Sequence, residues 1–140
     1  MIVANEAAMQ ALATQFANSL SAGELITLSG PLGAGKTVFA KALIAALGFE
    51  GDVSSPTFAI IHEYDEPQMS LPVVHADLYR LNDPAELEEL GLFDREDAVV
   101  LVEWPSKGGT ELKTPDLAIE ISPQPDGSRI LTIDDKRKRS

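Results

Sequence analysis

The 140-residue chain has no cysteine, which removes a disulfide framework, a thiolate zinc site and a thiol nucleophile at once. Its two histidines, His62 and His75, follow no transition-metal ligand spacing. No apolar run is long enough to span a bilayer and no segment reads as a signal peptide, so a soluble, cytoplasmic protein without membrane contact is expected. Positive charge is scarce: 11 Lys and Arg face 22 Asp and Glu, for a formal charge of −11. Lys136, Arg137, Lys138 and Arg139 supply four of those cations within the last five positions, leaving −15 on the body. Nucleic-acid affinity comes largely from cations that displace phosphate counterions, so this body should not hold RNA or DNA unaided. The guanine-reading pattern N-K-x-D is also missing, which argues against a GTPase. The length suits one domain over 1–135, with 136–140 a basic, disordered tail.

Against these absences stands one specific pattern. Gly30-Pro31-Leu32-Gly33-Ala34-Gly35-Lys36-Thr37 matches G-x-x-x-x-G-K-[ST] and follows the strand-like run Leu25-Ile26-Thr27-Leu28. Glycines at 30, 33 and 35 remove side chains that would keep the backbone away from phosphate. The backbone of Gly30, Leu32, Gly33, Ala34, Gly35, Lys36, Thr37 and Val38 is therefore the candidate nucleotide cradle, at the positive end of a helix. Lys36 would reach the β and γ phosphates, and Thr37 would be a hydroxyl ligand to Mg²⁺.

The flanking pattern predicts a helix with Asn5 as its N-cap, apolar residues at Met9, Leu12, Ala13, Phe16 and Leu20, and Gly23 as terminator. A second helix carries Val38, Phe39, Ala42, Leu43, Ala46 and Leu47 and ends near Gly48. Residues 58–64 and 73–76 read as strands that pair antiparallel across Asp65-Glu66-Pro67-Gln68. Asp83, Pro84 and Glu86 open a short acidic helix that stops at Gly91. Ala98 to Val102 is apolar throughout, as a strand buried on both faces requires, and belongs beside the phosphate-loop strand. Residues 117–121 and 129–133 flank an Asp126-Gly127 reversal. There are no repeats. The expected fold is α/β, a P-loop NTPase-like three-layer sandwich whose mostly parallel sheet gains antiparallel strands toward the C-terminus.

Glu103 ends the most apolar strand, where a carboxylate can hold magnesium or its waters. Asp77 ends another strand and is a candidate to orient water, accept a proton or hold magnesium waters; capping of a turn is its ordinary structural role. Thr57, after Ser54-Ser55-Pro56, is a candidate γ-phosphate sensor, although Ser-Pro-Thr is also common turn chemistry. Trp104 either stacks on a substrate group or covers the core edge, Arg80 either neutralises phosphate or pairs with local acids, and His75 fits a locally hydrogen-bonded strand residue better than a base.

The phosphate loop, Ser55-Pro56-Thr57-Phe58, His75-Ala76-Asp77-Leu78-Tyr79-Arg80, Glu86-Leu87-Glu88-Glu89-Leu90-Gly91 and Val102-Glu103-Trp104-Pro105, in this order, resemble the TsaE family, also called YjeE. The resemblance implies a bacterial ATPase needed to make threonylcarbamoyladenosine in tRNA, docking on the TsaD transferase and its TsaB scaffold and resetting them between turnovers. The tRNA would then be met through the complex. It further implies ATP and Mg²⁺, with Lys36 and Thr37 at phosphate and magnesium positions, Glu103 at the magnesium carboxylate, Asp77 needed for hydrolysis, Asn5 and Glu6 near the base, and Gly127 to Arg129 as a late contact. No arginine is clearly placed as a finger, so hydrolysis by the isolated chain should be slow. A small-molecule kinase and a nucleotide-dependent binding switch are the rival readings.

Overall fold

The computed structural model of the chain describes residues 1–31, 34–51, 61–81 and 83–137. Seven strands form one sheet: β1 (Ile2–Val3), β2 (Leu25–Ser29), β3 (Ile61–Tyr64), β4 (Val73–Asp77), β5 (Val99–Glu103), β6 (Leu117–Pro123) and β7 (Arg129–Asp135). Their spatial order is β1-β7-β6-β2-β5-β4-β3. The four central strands β6, β2, β5 and β4 run parallel, while the β1–β7, β6–β7 and β3–β4 pairs are antiparallel. The sheet is thus mixed rather than mostly parallel: parallel pairing is confined to the middle, and hairpins or a returning edge strand finish both sides.

Helix α1 (Glu6–Ala17) and helix α2 (Lys36–Ala46) cover one face. Apolar residues three and four apart on α1 (Met9, Leu12, Ala13) and α2 (Phe39, Ala40, Leu43, Ile44) meet Ile26, Leu28, Val99 and Leu101 of the sheet. The other face packs Leu25, Val74, Ala76, Val100 and Val102 beneath Leu78, Leu81, Leu87 and Leu92, around the short helix α3 (Glu86–Leu90). Every residue of β5 is buried, which accounts for its unbroken apolar run.

Asn5 caps α1, its side-chain oxygen accepting from the Ala8 N–H at 2.9 Å. The helix ends earlier than expected, however, and Gly23 does not terminate it. After Ala17 the N–H groups of Ser19 and Leu20 reach back only three residues, to Phe16 and Ala17, tightening and closing the last turn. Leu20 still packs on the core from outside the helix. Gly23, at φ +86°, instead donates its N–H to Ala98 at the entry to β2. At the β6–β7 reversal Gln124 N–H bonds Ser128 O and Gly127 takes φ +90°, the geometry of a three-residue hairpin loop whose glycine supplies the left-handed residue.

The expected tail does not begin at 136. Arg137 has a side chain only 5% exposed and spans Asp135 (2.8 Å through both Nε and Nη2) and Ser19 Oγ (3.0 Å), over the Phe16 ring. Residues 138–140 lie outside the described residues. Arg137→Ala should cost about 1–3 kcal/mol, since charge-assisted, part-buried hydrogen bonds are lost together. Urea denaturation at neutral pH should show the midpoint falling, and an unchanged midpoint would return Arg137 to a free tail.

Candidate functional site

Because β2, β5 and β4 are parallel neighbours, their C-terminal ends lie along one sheet edge. Leu28 pairs with Glu103 and Glu103 with Asp77, so the loop leaving β2 starts beside two carboxylates. Alternation along the strands puts Val99, Leu101 and Glu103, together with Val73, His75 and Asp77, on the face that carries α2. Gly30, at φ +148°, begins the loop against β6, where a Cβ would stand 2.5 Å from the Ile121 carbonyl oxygen. Gly35, at φ +107°, holds the N-cap position of α2. Leu32, Gly33 and Thr57 lie outside the described residues.

Lys36 is buried, and its Nζ donates to the carbonyls of Gly30 and Pro31 while standing 4.0 Å from the centroid of the Trp104 ring. Burial holds the ammonium below its ordinary pKa, against the opposite pull of Glu103 and Asp77. Glu103 is equally buried and accepts from His75 Nε2 at 2.7 Å. Donation to an ionised carboxylate requires the proton on Nε2. The histidine is therefore hydrogen-bonded as expected of a strand residue, but to a partner 28 positions away across the sheet.

Asp77 is half-buried, and its Oδ1 accepts from the Tyr79 N–H at 2.9 Å. It caps a turn and faces the site together. Burial raises its pKa first and Glu103 adds to the shift, while the Tyr79 N–H, His75 and Lys36 oppose it. Trp104 follows Glu103 in the left-handed region, φ 57° and ψ 53°, a conformation costing a bulky residue about 1–3 kcal/mol. The turn lays the indole beneath Lys36 and against Tyr79, with ring centroids 4.9 Å apart, so it both edges the core and faces the loop. Arg80 is exposed and has no ion pair among the described residues.

Thr37 sits half-buried in the first turn of α2, and Val38 next to it lines an open cleft of about 310 Å³ with Asn5, Met9, Gly35, Gly127 and Arg129. The cleft brings Asn5 and Gly127 together beside Gly35 although 122 positions separate them in the chain. Arg129 donates from Nε to the Ala34 carbonyl at 2.8 Å and from Nη1 to the Gly127 carbonyl at 2.5 Å. No local pattern in the sequence announces this contact or the His75–Glu103 pair, because both join residues distant in sequence. Among the described residues no cluster of three or more His, Cys, Asp or Glu forms a metal cage. Two carboxylates and a hydroxyl are hard oxygen donors, the set that fits Mg²⁺ shared with phosphates and water rather than a cation enclosed by protein.

The Asp77 shift has a sign that stability can read. A carboxyl whose pKa is raised in the fold binds more protons there than in the unfolded chain between the ordinary value of 3.8 and its folded value, so stability falls as pH rises through that window. Without nucleotide or magnesium, Asp77→Asn should unfold at a higher temperature than wild type at pH 7–8, and the gap should close on acidification toward pH 3.8. A variant less stable at pH 8 would contradict this.

Residues 3–131 match the profile of the family described as threonylcarbamoyl adenosine biosynthesis protein TsaE. The chain is 37% identical over 111 residues to the tRNA threonylcarbamoyladenosine biosynthesis protein TsaE of Haemophilus influenzae, covering 78% of this chain and 69% of that one. It is 42% identical over 113 residues to the protein of the same name from Bacillus subtilis (79% and 69%), and 45% identical over 101 residues to that of Mycobacterium bovis (66% and 60%). The match therefore spans as little as 60% of a curated relative's length. The crystal structure of YdiB from Bacillus subtilis superposes with a TM-score of 0.75 at 32% identity, over 95% of this chain and 82% of that one. With a mixed α/β sheet like that of YdiB and a family profile covering nearly its whole length, the chain belongs to the TsaE family of tRNA threonylcarbamoyladenosine biosynthesis proteins.

Proposed function

We propose that this chain binds ATP with Mg²⁺ on the phosphate loop, hydrolyses it, and thereby resets a TsaD–TsaB transferase complex between rounds of tRNA threonylcarbamoylation. One juxtaposition carries the reading: the loop with Lys36 leaves β2 beside β5 and β4, whose last residues, Glu103 and Asp77, lie in register. The arrangement supports a P-loop NTPase-like architecture, with α1 and α2 on one face of the sheet and α3 on the other.

In this reading Lys36 exchanges the carbonyls of Gly30 and Pro31 for phosphate oxygens, and the N–H groups at the start of α2 face the same anion. Thr37 and Glu103 are the magnesium residues, with Glu103 oriented by His75. When bound, Mg²⁺ neutralises charge across the phosphate oxygens. Asp77, which faces the same edge and keeps part of its surface open, orients the attacking water. The cleft beside Asn5, Val38 and Gly127 receives the base.

Hydrolysis by the isolated chain should be slow. Arg95 and Arg137 are engaged with carboxylates, Arg129 donates to main-chain carbonyls, and Arg80 is exposed, so none of these stands ready as a finger. With Lys136 and Arg137 counted in the folded body, only Lys138 and Arg139 are set apart from the total of −11, and the −13 left on residues 1–137 supports reaching tRNA through the complex. No helix among the described residues is long and apolar enough to cross a membrane, in keeping with a cytoplasmic role.

Multiple-turnover threonylcarbamoylation of tRNA by TsaD and TsaB should require the wild-type chain and fall by about a hundredfold or more with Lys36→Ala, given the weight of charge-assisted contacts to a transferring phosphoryl group. ATP turnover should rise when both partners are added. Full modification without the chain would sink the resetting role. Repeated turnover with an Asp77→Ala variant that binds ATP without hydrolysing it would favour a binding switch, and a phosphorylated acceptor in place of free phosphate would favour a kinase.

A further inference from the structure

Arg129 joins two parts of the molecule that no regular element connects. It is the first residue of β7, and its backbone is held on both sides, in register with Val3 of β1 and with Pro123 of β6. From that fixed base the guanidinium reaches 95 positions back along the chain to the Ala34 carbonyl and also holds the Gly127 carbonyl of the adjoining hairpin loop. In a chain with 22 acidic residues, it has no carboxylate partner among the described residues. Its two bonds go to main chain.

The choice of acceptor matters because a trans peptide is planar, so a carbonyl and the N–H that follows it point in opposite directions. Fixing the Ala34 oxygen on Arg129 therefore fixes where the Gly35 N–H points. The Ala34 side chain is 1% exposed and anchored in the core, so the peptide is held at both ends. Among the described residues nothing accepts the Gly35 N–H. A Cβ on Gly35 would lie 3.6 Å from Arg129 Nε and 3.5 Å from Met9 Cε, so the glycine is flanked on that side. The guanidinium also stands near the N-terminus of α2, where a cation opposes the helix dipole until an anion arrives.

We propose that Arg129 is a positioning residue for the phosphate loop, turning the Ala34–Gly35 peptide so that the Gly35 N–H faces the polyphosphate, rather than a residue that reads the base. The inference rests on the nucleotide-binding reading given above and deepens it. It differs from the direct late contact that the sequence resemblance implies for Gly127 to Arg129. The distinction predicts an effect on phosphate alone.

Calorimetric titration of the full chain with ATP and with sodium tripolyphosphate, which has no base, separates the two roles in wild type, Arg129→Gln and Arg129→Lys. Both variants should lose affinity for the two ligands by the same factor, about tenfold or more, since a charge-assisted bond that orders the loop is removed in each. Addition of tripolyphosphate should slow amide hydrogen exchange at Gly35 in wild type and slow it less in both variants at equal ligand occupancy, while circular dichroism and the unfolding midpoint show the fold retained. Loss of ATP affinity with tripolyphosphate affinity intact would assign Arg129 to the base and overturn the proposal. Wild-type affinity in Arg129→Lys would reduce its role to charge and overturn the clamp, as would wild-type protection of the Gly35 amide by tripolyphosphate in both variants. Wild-type protein that binds neither ligand would instead overturn the nucleotide-binding reading itself.

Discussion

Parallel register between β2, β5 and β4 is the constraint on which the site depends. Strand pairing sets Glu103 level with Leu28 on one side and Asp77 on the other, so β2 ends on the same sheet edge as both carboxylates. A one-residue slip of β5 would turn Glu103 toward the apolar cluster of Leu78, Leu87 and Leu92 and send Val102 toward the loop. The hydrophobic pattern forbids this, because Val99 and Leu101 pack under α2 while Val100 and Val102 fill the opposite face. Core packing therefore sets the position of the chemistry, and the sheet's antiparallel margins contribute only by holding the middle in place.

The same geometry buries charge, and burial is costly unless each group is satisfied. Lys36, His75 and Glu103 are all at least 95% buried. Lys36 has two loop carbonyls and the Trp104 face, and Glu103 has His75 Nε2, whereas His75 Nδ1 is buried with no hydrogen-bond partner among the described residues. In the proposed reaction phosphate binding exchanges the loop-carbonyl contacts of Lys36 for others. An exchange yields less net binding than the gross strength of the new contacts. A docking partner that altered the Trp104 turn or the loop would shift that balance, which fits a protein expected to turn over slowly alone.

Much of this was legible from the chain. The capped first helix, the all-apolar β5, the antiparallel pairing of β3 with β4 and the Asp126-Gly127 reversal each follow from local periodicity or turn chemistry, which act over a few residues. The errors arose where distant contacts decide. The first helix stops before Leu20 because its last turn tightens at Ser19, which Arg137 also contacts from the far end of the chain. Residues 136 and 137 read as solvated tail because charge runs usually are, yet Lys136 N–H bonds Asp116 O and Arg137 packs on Phe16. The sheet reads as mostly parallel because strand direction at its edges is set by hairpins and by β1, too short at two residues to show any period.

The two ends of the chain show why such contacts matter to the site. Met1 and Leu131 exchange backbone hydrogen bonds, which sets β1 on β7, and α1 starts three residues after β1 with Asn5 at its cap. Val3 in that strand pairs with Arg129, whose side chain grips the loop, and Met9 one helical turn on touches the same cleft. The N-terminal strand is thus neither a decoration nor a separate element: it completes the wall from which the phosphate loop is held. Edge strands this short gain little from their own ladder. Its placement is better explained by what it anchors, the beginning of β7 and the entry of α1, than by the two residue pairs it adds to the sheet.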